Sequence, residues 1–486
     1  MSQELKCVVT CIAGLLIFGG KLAAQSDTPE PLKIGDVTVS GLVHERYEDW
    51  NFFRGAKGEN DYGYSGSYLR LMFSEKTKTF DWAIEFAAPI LTGIPNQAVQ
   101  GSPLGQLGLG AAYYAANRNN TTAASVYLKQ GYMRFKGAHS NLRLGRFEFS
   151  DGSEVTPKDE TLAIIKRDGI AQRLIGTFGF SDVQRSMDGA QYTYSNGDWN
   201  VTAVSAVPDR GVFQVDGWGW VVTPVTYAAV TKQASWGPTK AEWRVFGIFY
   251  NDDRGVVKTD NRSTAAKAAD LAGIDIGTYG GHFIQAIPTP AGTFDMLGWG
   301  VLQSGKWGPL TQKSGAATVE GGYQPPIKFL RPWIRGGYFY SSGDGNASDT
   351  THGTFFAVLP TPRVYARFPF FNEMNNVDAF GELMLRPAKR MAIRSDIHGL
   401  WLANRNDLWY SGGGAFQPWT FGFNGRPSNG ATGLATLYDA SWDYQLTRAL
   451  SLGLYFGYAR GGEVIQKIFP LDHNAKMGFL EANYRF

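Results

Sequence analysis

Arg394, Asp396 and His398 alternate with Ser395, Ile397 and Gly399 along one apolar-bordered stretch. If that stretch is a strand, the three groups form a column on one face. An Asp and a His in a column invite hydrolytic chemistry. In a strand, however, they stand about 7 Å apart, and no Ser in a strand-to-helix elbow accompanies them. His398 therefore reads as a group lining a wet interior, and no catalytic residue is expected.

Parity sorts the other charges in the same way. Arg46 shares a face with His44 and Glu48, opposite Val43; Arg70 lies between Leu69 and Leu71. Tyr132 and Arg134 flank Met133, Arg335 follows Ile334, and Asp439 and Asp443 oppose Ala440 and Trp442. Arg143 and Arg146 have opposite parity, with Gly145 between them marking a candidate bulge, so which of the two faces inward stays open. Arginine rings favour anions and carboxylate rings favour cations. Two readings follow: cross-strand ion pairs that stiffen a wet interior, or an arginine ladder for an anionic solute, opposed by Glu85, Asp396, Asp439 and Asp443. The run Asp344-Gly-Asn-Ala-Ser-Asp349 has loosely calcium-like spacing but lacks the glycine and terminal Glu of an EF-hand loop, so it reads as a turn. Neither a metal nor a cofactor is expected.

The elements that would hold these columns are strands of period two. Counting back from Phe486, the residues Tyr484, Ala482, Leu480 and Gly478 are apolar or small, while Arg485, Asn483 and Glu481 are polar. A lipid-compatible face against a wet face is the pattern of a transmembrane strand. Period two predicts an all-β, up-and-down antiparallel barrel of about 18 strands, from Val37–Tyr47 to Ala475–Arg485. Every second connection, such as 75–79, 137–141 and 387–390, is short. The others include 89–125, 150–187, 251–277, 341–375 and 403–433, and are long, as in outer-membrane barrels with short periplasmic turns. Residues 263–272 have the composition of a short helix.

Composition agrees: 60 Gly, 31 Phe, 23 Tyr and 14 Trp accompany only 18% charged residues, as aromatic girdles and tight turns require. A net charge of +3 is too small to imply nucleic acid as a partner. Lys6, the apolar run Cys7–Gly20 and the small residues before Gln25 read as a signal peptide over 1–24, followed by a short periplasmic segment, 25–36, and a barrel over 37–486. Both cysteines, Cys7 and Cys11, fall in the leader, which leaves a cysteine-free mature chain.

Several stretches resemble the alginate-export family of outer-membrane barrels. They are Pro332-Trp-Ile-Arg-Gly-Gly-Tyr-Phe-Tyr-Ser-Ser-Gly-Asp344, Arg394-Ser-Asp-Ile-His-Gly-Leu-Trp-Leu-Ala403 and Leu450-Ser-Leu-Gly-Leu-Tyr-Phe-Gly-Tyr458. Leu144-Gly-Arg-Phe-Glu148, Arg185-Ser-Met-Asp-Gly189 and the loop Thr354-Phe-Phe-Ala-Val-Leu-Pro360 add to these, although that loop lacks the acidic residue usual after the Phe. The resemblance implies a conduit for an anionic polysaccharide with an arginine-rich constriction. By position, Arg46, Arg70, Arg134, Arg146, Arg185, Arg335 and Arg394 are its candidates, with Tyr132 and Trp333 as stacking platforms for sugar rings. Expected partners are outer-membrane lipids, a saccharide or small anionic solute, and periplasmic export proteins. The alternatives are a general porin, a barrel enzyme and a surface anchor.

Overall fold

Alternation carries directly into the architecture. In the computed structural model, which describes residues 32–362 and 365–486, eighteen antiparallel strands form one closed barrel. They are β1 (Val37–Asn51), β2 (Asp61–Lys76), β3 (Phe80–Thr92), β4 (Tyr127–Lys136), β5 (Ser140–Phe147) and β6 (Met187–Asn196). Next come β7 (Trp199–Pro208), β8 (Val225–Trp236), β9 (Thr239–Asp252), β10 (Ile274–Thr289), β11 (Gly292–Trp307) and β12 (Leu310–Gln324). The circuit ends with β13 (Trp333–Ser341), β14 (Asn376–Ala388), β15 (Met391–Leu402), β16 (Gly433–Gln445), β17 (Leu450–Gly461) and β18 (Asn474–Arg485). β18 pairs with β1, from Arg485 opposite Leu42 to Lys476 opposite Asn51, so the last strand leaves no open edge.

Side-chain exposure follows parity. Leu302 and Val319 point outward with 71% and 67% of their surface uncovered, whereas Gln303 and Thr318 beside them are buried inward. An outer face this apolar suits hydrocarbon. The strands overrun their expected ends: β1 continues to Asn51 where the pattern marks Val37–Tyr47. Ladder hydrogen bonding continues past the apolar band into water, where the hydrophobic alternation that marks a strand fades.

One end carries connections of two to eight residues; the other carries the long segments 93–126, 148–186, 342–375 and 403–432. The turn at 308–309 is a short exception on the long-loop end, because β11 and β12 continue to Trp307 and from Leu310. The leader, 1–24, lies outside the described residues. Of the segment after it, Leu32–Ile34 turns back and pairs with Val37–Val39.

The connections at the long-loop end carry helices: α1 (Leu109–Ala116), α2 (Glu160–Gly169), α3 (Thr264–Ala269) and α4 (Glu463–Ile468); α1, α2 and α4 bury residues, whereas α3 buries none. Of these, the composition marked α3 alone. A hairpin of Leu408–Gly412 with Phe423–Pro427 joins them. Apolar side chains bind these loops to one another. Phe53 meets Trp409 and Phe370 edge-on at 6.2 and 5.5 Å, and the Arg426 guanidinium lies 4.7 Å above the Trp409 ring. The predicted turn at Asp344 is a succession of Asx turns: Asp344 accepts from Asn346 N at 3.1 Å, and Asn346 from Ser348 N at 3.2 Å.

Asp407 latches two of these loops together. It accepts hydrogen bonds from Thr354 Oγ1 at 2.6 Å, Asp344 N at 2.8 Å, Leu408 N at 2.7 Å and the Tyr410 hydroxyl at 2.7 Å. Burial nevertheless pushes its carboxyl up to about 6. A raised folded-state value means that the docked loops hold a proton which the undocked chain releases. The associated stability is present at low pH and is lost as pH rises from the ordinary carboxyl range through about 6. The difference in Tm between the native chain and Asp407→Asn should therefore change across that interval and level off above it. A difference independent of pH would contradict this account.

Candidate functional site in the lumen

The lumen is narrowed by α2, whose sequence dictates the side it buries. Asp159 caps its start, accepting from Leu162 N at 3.0 Å. Leu162, Ile165, Lys166 and Gly169 then share one buried face at helical spacing. Lys166 pairs with Glu242 of β9 at 2.6 Å, and Glu242 meets His282 of β10 at 3.1 Å. At Gly169 the helix approaches closely: a Cβ there would stand 2.8 Å from Leu297 Cδ1 of β11, so that side chain would have to move. From the far side of the helix, Asp168 reaches Arg394 of β15 at 3.5 Å. The loop thus ties β9–β11 to β15, several strands further round the wall.

A second inward loop, 342–375, is held by its own backbone. Phe355 to Leu359 are fully buried, so their peptide groups need partners inside the protein. Gln303 on β11 supplies two: its Nε2 donates to Phe356 O and its Oε1 accepts from Phe356 N, both at 2.8 Å. Leu359 exchanges 2.8 Å hydrogen bonds with Leu174 and Gly176 of the first loop. The Thr354–Pro360 motif is therefore a wall-anchored strap inside the barrel.

The expected arginines separate into distinct environments. Arg46 is buried within 3.3–3.6 Å of Glu48, Asp182 and Glu481. Arg70 pairs with Glu85 at 2.7 Å and Glu148 at 3.0 Å. Arg134 is more open, 3.8 Å from Asp81 and stacked over Tyr132. Arg143 also lies over Tyr132, at 5.2 Å, so these three share the inner face. Arg146 has the parity of the exposed Leu142 and Leu144, pairs with Asp188 at 2.6 Å and donates to the carbonyls of Leu128 and Gly217. It sits at the long-loop rim, away from the arginines of β13 and β15. Gly145 has a φ of +121°, and a Cβ there would stand 2.3 Å from Gly131 O. Pairing with both neighbouring strands nevertheless runs through it without a register shift, so the bulge expected between Arg143 and Arg146 is absent and parity alone separates them.

Arg185 is not on a strand. Fully buried, it donates to the carbonyls of Gly176, Leu359 and Gly413 at 2.8–2.9 Å and to Ala415 at 3.5 Å, joining three loops. Trp333 is 2% exposed and donates to Asp295 at 2.8 Å, so its ring is wall packing rather than a free platform.

Arg335, Arg394, Asp396 and His398 do converge. Strand register places Arg335, Glu382, Asp396 and Asp439 directly opposite one another across β13 to β16, so three carboxylates stand in consecutive positions. Arg335 turns away from that row to Asp295 and Glu320, each at 3.1 Å. Arg394 serves the row, contacting Glu382 and, at 3.3 Å, Asp396. His398 Nδ1 lies 2.9 Å from Asp378.

Two polar cavities meet here. One, of about 60 Å³, is lined by this wall and by Arg173, Tyr365 and Glu373; its carboxylates outnumber its guanidiniums, giving it an acidic character. The other, of about 430 Å³, opens toward the short-turn end and reverses the balance: Arg46, Arg167, Arg367, Arg394 and Arg485 face only Asp168 and Glu481. Asp168, Arg367 and Arg394 line both. Of these, Arg367 has a distinct environment. It hydrogen-bonds the Ser441 hydroxyl, and among the described residues no carboxylate lies within ion-pair distance of it. Period two offered no sign of Arg167, Asp168, Arg173 or Arg367, because all four sit on inward loops.

A family model described as alginate export matches residues 96–474. The chain belongs to the alginate-export family. It is a channel of the bacterial outer membrane, with its outward apolar face against lipid. Among curated proteins no sequence match is found. The fold is similar to Acinetobacter baumannii OccAB1, with a TM-score of 0.56 at 10% identity over 95% of this chain and 100% of that one. It is also similar to Pseudomonas aeruginosa OpdK with vanillate, with a TM-score of 0.54 at 7% identity over 92% and 98%. P. aeruginosa OccK8 (OprE) gives 0.53 at 10% identity over 93% and 98%. These likenesses concern the barrel alone. With family and location in place, the long loops lie outside the cell and the basic cavity faces the periplasm.

Proposed function

We propose that this alginate-export barrel passes an anionic polysaccharide, an oligosaccharide or small anionic solutes by passive diffusion, with Arg367 and Arg394 at the constriction. The observation that carries the reading is the periplasm-facing cavity with five arginines against two carboxylates. Arg46, Arg167 and Arg394 are paired with carboxylates, so an entering anion meets Arg367, which has no carboxylate at ion-pair distance among the described residues, before the acidic cavity beyond. Vanillate in the OpdK structure supports keeping small anions in the reading. Periplasmic export partners would meet the short-turn rim. A barrel enzyme is disfavoured because, among the described residues, His398 hydrogen-bonds Asp378 and no serine or threonine hydroxyl, and Ser441 hydrogen-bonds Arg367.

A general porin is the second reading, favoured by the carboxylate row from Glu382 to Asp439. Planar bilayers in a salt gradient separate the two. The anionic reading expects a reversal potential on the anion side and block of current by oligomannuronate but not by a neutral oligosaccharide of equal length. Cation preference with no oligomannuronate block would sink it.

A further inference from the structure

The carboxylate row on β14 to β16 is an unusual arrangement for an unassisted wall. Like charges directly opposite on neighbouring strands repel, and Glu382, Asp396 and Asp439 occupy three consecutive positions with Arg394 as the cation in contact. Arg394 approaches Asp396 through one oxygen, Oδ2. The other, Oδ1, is buried and has no hydrogen-bond partner, on a side chain only 9% exposed. A buried carboxylate oxygen without a donor is costly unless something positive meets it.

One ligand atom each from Asp396, His398 and Asp439 lies within 4.8 Å of the other two, a spacing that one ion can bridge. The imidazole is already oriented for the task. Asp378 holds Nδ1 at 2.9 Å, and the ring lies against Phe380, its centroid 5.6 Å away. A histidine that donates one nitrogen to a carboxylate presents the other as a fixed, more basic ligand. The Tyr455 hydroxyl, 3.0 Å from Asp439 Oδ2, orients the second carboxylate. One imidazole nitrogen with two carboxylates suits a divalent transition ion such as zinc, cobalt or manganese better than calcium or magnesium, which prefer all-oxygen shells.

We propose that Asp396, His398 and Asp439 form a divalent transition-metal site in the lumen wall, with Asp378 as the positioning residue behind His398. The ion neutralises the carboxylate row and leaves an open coordination position toward the acidic cavity. Binding is independent of which solute the channel passes.

The test uses the full mature chain, refolded in detergent, stripped with EDTA and titrated with cobalt(II) chloride. Visible d–d absorption should saturate at one equivalent and be displaced by zinc. Asp396→Asn and Asp439→Asn should abolish the saturable band, while His398→Gln should shift it as a nitrogen ligand is lost. Asp378→Asn should retain the band with affinity weaker by about ten- to a hundredfold. Circular dichroism and heat-modifiable gel migration establish that each variant is folded. Absence of a saturable cobalt band in the native chain overturns the proposal, whatever the variants do. So does a band unaltered in the folded Asp396→Asn/Asp439→Asn double variant. A third contrary result is a native chain that binds no metal while Asp439→Asn raises its Tm, which would mean that the row merely shares a proton.

Discussion

Replacing Arg367 by glutamate should move the reversal potential toward cations and lower the anion-to-cation permeability ratio by roughly tenfold or more. A unit charge in wet surroundings acts on an ion about 4 Å away with about 1 kcal/mol, and charge reversal doubles that. Since about 1.4 kcal/mol is a factor of ten, the shift lies well within electrophysiological resolution. Arg367 is chosen because the other candidates are already neutralised. Arg46, Arg70, Arg335 and Arg394 each have two or more carboxylates within 4 Å. Removing one of those strands a buried carboxylate as well as deleting a charge. Arg367 contacts a serine hydroxyl, so its substitution changes the field at the proposed constriction without breaking an ion pair. Arg367→Gln should give about half the shift. If Arg367→Glu left the reversal potential in place, the anion path would not run past this residue.

Arg185→Ala should leave the barrel closed but release its inner loops. The guanidinium satisfies carbonyls from three chain segments far apart in sequence. Hydrogen bonds from a charged donor are worth about 1.5–3 kcal/mol each, and orphaned buried carbonyls add a penalty, so a loss on the order of 3 kcal/mol or more is expected. Burial already lowers the guanidinium's pKa to about 10, which leaves it charged at neutral pH. Strand content and heat-modifiable migration should persist, because no ladder bond is touched. Single-channel conductance should rise severalfold and become noisy as the strap at 355–359 detaches from 174–176. Arg185→Lys should rescue little, since a single ammonium cannot span the carbonyls that the planar fork reaches. Conductance as quiet and as small as in the native chain would show that the loops are held without it.

Strand order, closure and the inward or outward sense of each strand residue were legible because a two-residue period leaves only two choices, and lipid enforces one of them along every strand. Leu69, Met133, Ile334 and Ile397 face outward, and Arg46, Arg335 and His398 face inward, as alternation requires. The loop residues that line the two lumen cavities were not. Arg167, Asp168, Arg173 and Arg367 stand on loops that return through the barrel, where no period governs direction. Arg185 and Trp333 show the same limit from the other side: their types suit a binding surface, yet packing spends one on loop carbonyls and the other on a wall carboxylate.

The chain by itself determined a lipid-facing cylinder, because alternation between hydrocarbon and water is a local property written into neighbouring residues. Only the tertiary structure decided which charges remain available in the lumen. Ion pairing and loop docking join groups as far apart as Arg185 and Gly413, and no local pattern encodes such partners.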